Sequence, residues 1–193
     1  MSRVHACEQS EVLEAARAML QEVGYDSFNM RALADHCGLA VGTLYNYFPS
    51  KYKMVYEIML NDWNALISDV DGIAARREDP LPLLGEMYRR LHVMFQSANQ
   101  LWSKGHSSVF METSIGGAHY QQESARAELA QRVIRICSAA CPACVNEENA
   151  ARTAALADGM VRLMVSFCSD ASGGDDAIYE LLATLYQSIS GGK

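Results

Sequence analysis

Apolar side chains recur at three- and four-residue steps along most of the chain, with charged and polar residues between them. This spacing places the apolar positions on one face of an α-helix. No stretch alternates valine or isoleucine with polar residues as a β-strand would, so the pattern indicates an all-α fold. The apolar pattern predicts helices over residues 7–23, 51–75, 83–102, 120–140, 147–168 and 175–190. It also predicts a weaker helix over residues 103–114.

Two shorter helices are predicted within residues 29–51, which read NMRALADHCGLAVGTLYNYFPSK. Ala34 is small enough to let a second helix cross closely, and Gly38 follows where the backbone must turn sharply. Leu39 is expected to be the buried plug of this turn. The spacing is typical of a helix-turn-helix, which presents its second helix to the DNA major groove. A plain helical hairpin would match the same spacing, so the pattern alone leaves both interpretations open.

The segment TLYNYFPSK, residues 43–51, closely resembles the end of the DNA-binding domain in the TetR/AcrR family of bacterial transcriptional regulators. The resemblance covers about the first quarter of the chain, and the remainder is similar only in layout. Asn29 and Ala40 stand where the family usually has serine or threonine. Asn29 can still cap a helix through its side-chain oxygen, whereas Ala40 cannot. Ser50, after Pro49, is the expected N-cap of the helix that follows. The matching residues are Leu33, Ala34, Gly38, Gly42, Thr43, Tyr45, Tyr47, Phe48 and Lys51.

The resemblance implies an N-terminal three-helix helix-turn-helix domain over residues 1–52 and a larger helical-bundle domain over residues 53–193. The larger domain would bind an effector and dimerise. Among the DNA-binding residues, Asn46 and Thr43 are the expected readers or anchors, while Tyr45, Tyr47 and Lys51 would contact phosphates. The full expected DNA-binding set is Asn29, Arg31, Ala40, Val41, Gly42, Thr43, Tyr45, Asn46, Tyr47 and Lys51.

The function implied by the resemblance is transcriptional regulation by a repressor that a ligand releases from a palindromic double-stranded operator. The effector is an unknown small molecule. Its expected pocket combines methionines and aromatic side chains, which suit a permissive apolar site. The same residues would also suit a filled core, so both interpretations stay open. The expected lining residues are Met59, Trp63, Met87, Leu91, Phe95, Trp102 and Phe110.

A homodimer is expected through residues 147–190, because one short recognition helix supplies too few base contacts by itself. In the family, the last two helices pair with their symmetry mates in a four-helix bundle. On helix 147–168, an apolar face formed by Leu156, Met160, Leu163 and Phe167 is expected to point toward the helix's own core. Small residues would form a smooth outer surface, although they also fit simple helix propensity: Ala150, Ala151, Ala154, Ala155 and Gly159.

The charge of the chain changes the expected manner of DNA binding. The net charge is −7, with 16 Lys and Arg against 23 Asp and Glu. Residues 1–53 hold five basic and six acidic residues, a net of −1, and residues 54–193 hold eleven and seventeen, a net of −6. Since attraction to the DNA backbone is mostly electrostatic, we expect modest non-specific affinity and a strong dependence on correct docking.

Three cysteines, Cys137, Cys141 and Cys144, give an alternative interpretation as a helical metal- or redox-binding protein. Their spacing occurs in cluster-binding enzymes, but those chains contain many β-strands, and CPAC at residues 141–144 can form a disulfide or hold a soft metal. Ordinary thiols remain the simpler interpretation.

No catalytic, nucleotide-binding or metal-binding motif is found, so we expect no enzymatic activity, no cofactor and no metal. No apolar run is long enough to cross a bilayer, and the N-terminal MSRVHACEQSE does not resemble a signal peptide. A cytoplasmic protein without a membrane partner is therefore expected.

Overall fold

The computed structural model describes residues 8–102, 119–140, 149–169 and 175–190. Helices make up most of these residues and none of them lies in a strand, which confirms the all-α prediction. The weaker helix predicted over residues 103–114 lies outside the described residues. The helices are α1 (Gln9–Ser27), α2 (Met30–His36), α3 (Val41–Tyr47), α4 (Lys51–Ala74), α5 (Pro80–Trp102), α6 (His119–Ala140), α7 (Ala150–Ser169) and α8 (Asp175–Ser190).

Local sequence explains where several of these helices begin or break. In α1, Gly24 has φ 75° and interrupts the helical backbone where the sequence predicts a stop, yet helical structure continues to Ser27. Helix α5 begins at Pro80, three residues before its predicted start. The side chain of Asp79 accepts a hydrogen bond from the Leu81 N–H (3.1 Å). An acidic cap followed by proline at the first helical position favours this earlier start.

The described residues form two compact units, residues 8–64 with 97–102, and residues 65–96 with 119–140, 149–169 and 175–190. Helices α4 and α5 contribute residues to both units. The assignment of DNA binding to residues 1–52 and of effector binding and dimerisation to residues 53–193 remains a prediction.

The core of the first unit joins α1, α2, α3 and the beginning of α4. Arg17 of α1 and Asp62 of α4 form a bidentate ion pair, with N–O distances of 2.9 and 2.5 Å. The hydrogen bond to Asp62 raises the pKa of Arg17 above its usual value. Such a two-point contact fixes geometry as well as charge. The core side chains have almost no solvent exposure: Val12, Ala16, Leu20, Leu33, Ala34, Leu44, Phe48, Met54, Val55 and Ile58.

In the second unit, two carboxylates each join a pair of arginines. Asp71 at the end of α4 accepts hydrogen bonds from Arg132 (2.9 Å) and Arg135 (2.8 Å) of α6. The hydrogen bond from Arg132 lowers the pKa of Asp71, and Arg135 adds to the effect. Asp158 of α7 accepts from Arg126 of α6 and from Arg162 of its own helix, both at 2.6 Å. These contacts tie the end of α4 to α6, and α6 to α7.

The packing of α5 against α8 depends on a glycine. A Cβ added at Gly85 would overlap the ring of Tyr179, so only glycine leaves room for that ring. The Tyr179 hydroxyl accepts a hydrogen bond from Arg89. A side chain at position 85 would therefore displace α8 or its tyrosine.

The predicted core face of α7 is wrong for three of its four residues. Met160 is fully buried, but Leu156, Leu163 and Phe167 are only partly buried. The buried face is instead rotated toward Thr153, Ala157, Met160, Val161, Met164 and Cys168. The sequence prediction grouped large side chains and overlooked Ala157, although a small residue can occupy the centre of a helix contact.

Within the part of the chain that the structure describes, no helix is both long enough and apolar enough to cross a membrane. The same residues contain no group of three or more His, Cys, Asp or Glu side chains arranged to hold a metal ion.

Candidate nucleic-acid interface

The segment from Asn29 to Gly38 forms the first helix and turn of a helix-turn-helix. The Asn29 side chain accepts a hydrogen bond from the Arg31 N–H (2.8 Å), which confirms its predicted role as an N-cap. At the other end, the N–H of Leu39 donates to the Ala34 carbonyl (2.8 Å) and that of Gly38 to the Asp35 carbonyl (3.2 Å). This pair of bonds is a Schellman motif.

Gly38 has φ 65°, the left-handed conformation that this motif requires. Leu39 is only half-buried, so the prediction of a buried plug is wrong, although Leu39 does pack against the core. The turn is thus set by backbone hydrogen bonds and one glycine.

We expect Gly38→Ala to lower the free energy of unfolding by about 1 kcal/mol, because an L-residue is strained at this φ. A Cβ at position 38 would meet nothing within 4 Å, so the cost comes from the backbone alone. Gly42→Ala is the matched control, since a Cβ there also meets nothing within 4 Å and φ is not positive. The control should gain about 0.5 kcal/mol from helix propensity. Urea unfolding of the full chain measures both, and equal effects would contradict this account.

Helix α3 is fixed by its inner side and leaves its outer side exposed. Leu44 and the following Phe48 have no solvent exposure. Gly42, Tyr45 and Asn46 are exposed, and the Tyr45 side chain is 44% accessible. A short helix anchored in this way can present polar groups to a binding partner without moving itself.

The beginning of α3 lacks a side-chain cap, as the sequence predicts from Ala40. The Ala40 carbonyl accepts from the N–H groups of Thr43 (2.9 Å) and Leu44 (3.2 Å). Val41 and Thr43 are half-buried, and Tyr47 lies edge-on against the Phe48 ring at 6.3 Å.

A surface depression of about 570 Å³ lies beside the exposed side of α3. Its lining residues include Asn29 and Arg31 of the α2 start, Tyr45 of α3, and Ser50 with Lys51 at the start of α4. Ser50 accepts a hydrogen bond from the Lys53 N–H (3.1 Å), which confirms it as the predicted N-cap of α4. The depression therefore brings together four of the ten predicted DNA-binding residues.

Lys51 has partners within its own chain. Its Nζ donates to the Phe28 carbonyl (3.0 Å) and the Asp26 carbonyl (3.4 Å), and lies 4.2 Å from the centroid of the Tyr25 ring. Burial lowers the pKa of Lys51, and the nearby Asp26 carboxylate opposes that shift. The contacts of Lys51 with Tyr25, Asp26 and Phe28 were not predicted from the sequence; the aromatic residues Tyr25 and Phe28, within four residues of the Asn29 cap, are the signal that could have indicated them.

Cys137, one of the three cysteines in the alternative interpretation, lies in an environment that lowers its reactivity. Cys137 is 1% exposed, and burial raises the pKa of its thiol to about 12. A thiolate is the reactive and metal-binding form, so this environment disfavours a redox or metal role for Cys137. Cys141 and Cys144 lie outside the described residues.

The predicted effector residues fall into three groups. Met87 and Leu91 are fully buried in the second unit, where Tyr88 and His92 have ring centroids 5.8 Å apart. Met59, Trp63 and Phe95 are partly buried. The Trp102 side chain and Phe110 lie outside the described parts of the chain. The effector pocket stays a prediction.

Comparison with known proteins agrees with this geometry. Residues 12–58, which include α2 and α3, match the family model described as "Bacterial regulatory proteins, tetR family". The HTH-type transcriptional repressor KstR of Mycobacterium tuberculosis is 32% identical over 88 residues, which cover 46% of this chain and 40% of KstR. KstR of Mycolicibacterium smegmatis is 30% identical over 111 residues, or 56% and 54% of the two chains. The chain thus spans about half the length of these relatives.

Solved structures extend the likeness in fold to nearly the whole chain. A transcriptional regulator from Cytophaga hutchinsonii has a TM-score of 0.69 at 19% identity and covers 94% of both chains. The TetR family regulator PfmR from Thermus thermophilus has a TM-score of 0.58 at 17% identity, covering 91% of this chain and 96% of its own. Residues 12–58, which contain the helix-turn-helix, thus match the TetR family of bacterial regulatory proteins, and the fold of nearly the whole chain is similar to that of the solved regulators.

Proposed function

We propose that the protein is a transcriptional repressor that binds a palindromic DNA operator as a homodimer and is released by a small-molecule effector. The observation that carries the proposal is the placement of α3, with Leu44 and Phe48 buried and Tyr45 and Asn46 exposed. An exposed helix of this kind can enter the major groove and contact base edges. The two KstR relatives are named as repressors, which supports repression and not activation.

A partly exposed strip on α7 and α8 supports dimerisation through residues 147–190. On α7, the strip contains Gly159 and Leu163. On α8, it contains Leu181, which is 40% exposed. Arg152 donates a hydrogen bond to the Ser188 carbonyl (3.1 Å), which holds the two helices side by side at one end of the strip. Small and apolar side chains on two neighbouring helices allow a second copy to pack closely.

Helix α4 supports a route for regulation by an effector. It begins beside the depression at Lys51, and its last turns are tied to α6 by Asp71. An effector that favours one arrangement of α6 would shift α4 as well, and only a difference in its affinity for the two states is required. Coupling of this kind is typically 1–3 kcal/mol.

The proposal is tested by fluorescence anisotropy with a duplex from the promoter region of the protein's own gene, at stated salt concentrations. We expect saturable binding by two protomers per duplex, and competition by unlabelled promoter but not by an equal mass of unrelated duplex. Equal competition by both duplexes would contradict operator recognition. A screen of apolar small molecules against the formed complex then tests release by an effector.

A further inference from the structure

The two ring nitrogens of His92, on α5, have different surroundings. Nε2 lies 3.4 Å from the side-chain nitrogen of Gln96, one turn later on the helix. An amide nitrogen can only donate, so Nε2 accepts and the proton of the neutral imidazole lies on Nδ1. Nδ1 is shielded from solvent, and no group in the described part of the chain accepts a hydrogen bond from it. The ring therefore holds an N–H donor inside the protein without an acceptor.

A buried donor of this kind is unusual in a folded protein. Water no longer solvates it, and no protein group has replaced the water, so the folded state loses stability. An oxygen atom that reached Nδ1 would remove this penalty and add a hydrogen bond. The ligand-free protein thus favours a molecule that brings an acceptor to His92.

The residues around His92 on α5 are apolar and closely packed. The centroid of the His92 ring lies 5.8 Å from that of Tyr88, which is 1% exposed. Leu84, Met87 and Leu91 on the same helix have no solvent exposure. One donor among apolar side chains is the usual composition of a small-molecule site, in which a single polar group orients a largely apolar ligand.

The cations of α5 are not available to a charged ligand at this place. The helix contains two arginines and no lysine, and both arginines are exposed. Arg89 donates to the Tyr179 hydroxyl, and Arg90 forms an ion pair with Asp69 at 3.2 Å. A carboxylate beside Leu91 would therefore lose its water without gaining a guanidinium partner from α5, which favours an uncharged acceptor.

His92 lies where α5 passes from the core of the second unit toward its surface. Tyr88 and Leu91 are fully buried, whereas His92, Phe95 and Gln96 are half-buried. The side-chain torsion next to a histidine ring is broad, so a small rotation turns Nδ1 toward an incoming group. A molecule can therefore reach this donor from the half-buried end of the helix.

We propose that the effector is an uncharged, largely apolar small molecule whose carbonyl oxygen accepts a hydrogen bond from Nδ1 of His92. This proposal rests on the proposed release by an effector and names the chemistry of that effector. His92 is not among the effector residues predicted from the sequence, because no sequence pattern shows which ring nitrogen lacks a partner. The effector stabilises the arrangement of α5 in which the donor has its acceptor.

Matched pairs of a ketone and its hydrocarbon test the proposal on the full-length protein without DNA. The pairs are acetophenone with ethylbenzene, α-tetralone with tetralin, and benzophenone with diphenylmethane. A ligand that binds only the folded protein raises its thermal midpoint, which circular dichroism measures. We expect at least one ketone to raise the midpoint. In calorimetric titration, its dissociation constant should be about tenfold lower than that of its hydrocarbon.

Variants at position 92 locate the donor. His92→Asn places an amide nitrogen close to the position of Nδ1 and should keep the preference for the ketone. His92→Gln places it close to the position of Nε2, and His92→Phe has no donor, so both should bind ketone and hydrocarbon equally. If His92→Phe does not fold, the Asn and Gln variants still separate the two positions. Val93→Ala is the matched control, since Val93 is 67% exposed, and should bind as wild type does.

Four results would overturn the proposal. They are no rise in the wild-type midpoint with any ketone, equal binding of ketone and hydrocarbon, a preference for the ketone that persists in His92→Phe or His92→Gln, and tighter binding of benzoate than of acetophenone. All are measured without DNA, so they leave operator binding untouched. A ketone that binds through His92 but leaves the promoter complex intact would support the site and count against release by an effector.

Discussion

Replacing Leu181 by arginine is expected to turn the dimer into a monomer and to weaken binding to a palindromic duplex at least about a hundredfold. Leu181 is 40% exposed in the single chain, so the arginine would be tolerated before assembly. In the proposed dimer it would become a buried, unpaired charge. The two-fold symmetry of the interface would introduce that charge twice.

Sedimentation equilibrium and fluorescence anisotropy measure the two effects on the same preparation. Val93→Arg is the matched control, because Val93 is also an apolar residue on a helix of the second unit and is 67% exposed. The control should remain a dimer with wild-type affinity. If Leu181→Arg is still dimeric at micromolar concentration, the interface lies elsewhere on the protein.

Truncating Leu44 to alanine should lower the free energy of unfolding by about 2–5 kcal/mol, the usual cost of a cavity in a packed core. Leu44 has no solvent exposure and holds α3 against the core of the first unit. The matched control is Asn46→Ala, two residues later on the same short helix and exposed. A surface change of this kind should alter stability by less than about 0.5 kcal/mol.

Unfolding in guanidinium chloride, followed by circular dichroism, measures the free energy of unfolding of both variants. If Asn46→Ala were as destabilising as Leu44→Ala, Asn46 would be part of the packed core and not of an exposed reading surface. If Leu44→Ala lowered the free energy of unfolding only slightly, burial of Leu44 would not be what fixes α3 against the core.

The first unit could be predicted from the sequence in most of its local details. The Asn29 and Ser50 caps, the turn at Gly38 and the uncapped start at Ala40 are all present as predicted. Each depends on interactions among residues close together in the chain, and the preferences of Asn, Ser and Gly for such positions are strong.

Features that depend on distant residues could not be predicted in the same way. The two carbonyl groups that accept hydrogen bonds from Lys51 lie 23 and 25 residues earlier in the chain, and no periodicity indicates them. The face of α7 was misjudged because burial of Ala157 depends on which helix packs there, and small residues carry little hydrophobic signal. The depression likewise joins the ends of separate helices, whose approach is decided by tertiary packing.

The central claim, that the exposed side of α3 reads DNA sequence as one half of a symmetric dimer, is tested most directly by selecting duplexes from a random library. The full-length wild type and Asn46→Ala are used in parallel. We predict that wild type enriches an inverted repeat whose half-sites are separated by about one helical turn or a multiple of it. Asn46→Ala should change the enriched bases at the same position in both half-sites. Enrichment of no sequence, or of the same repeat by both proteins, would contradict the account.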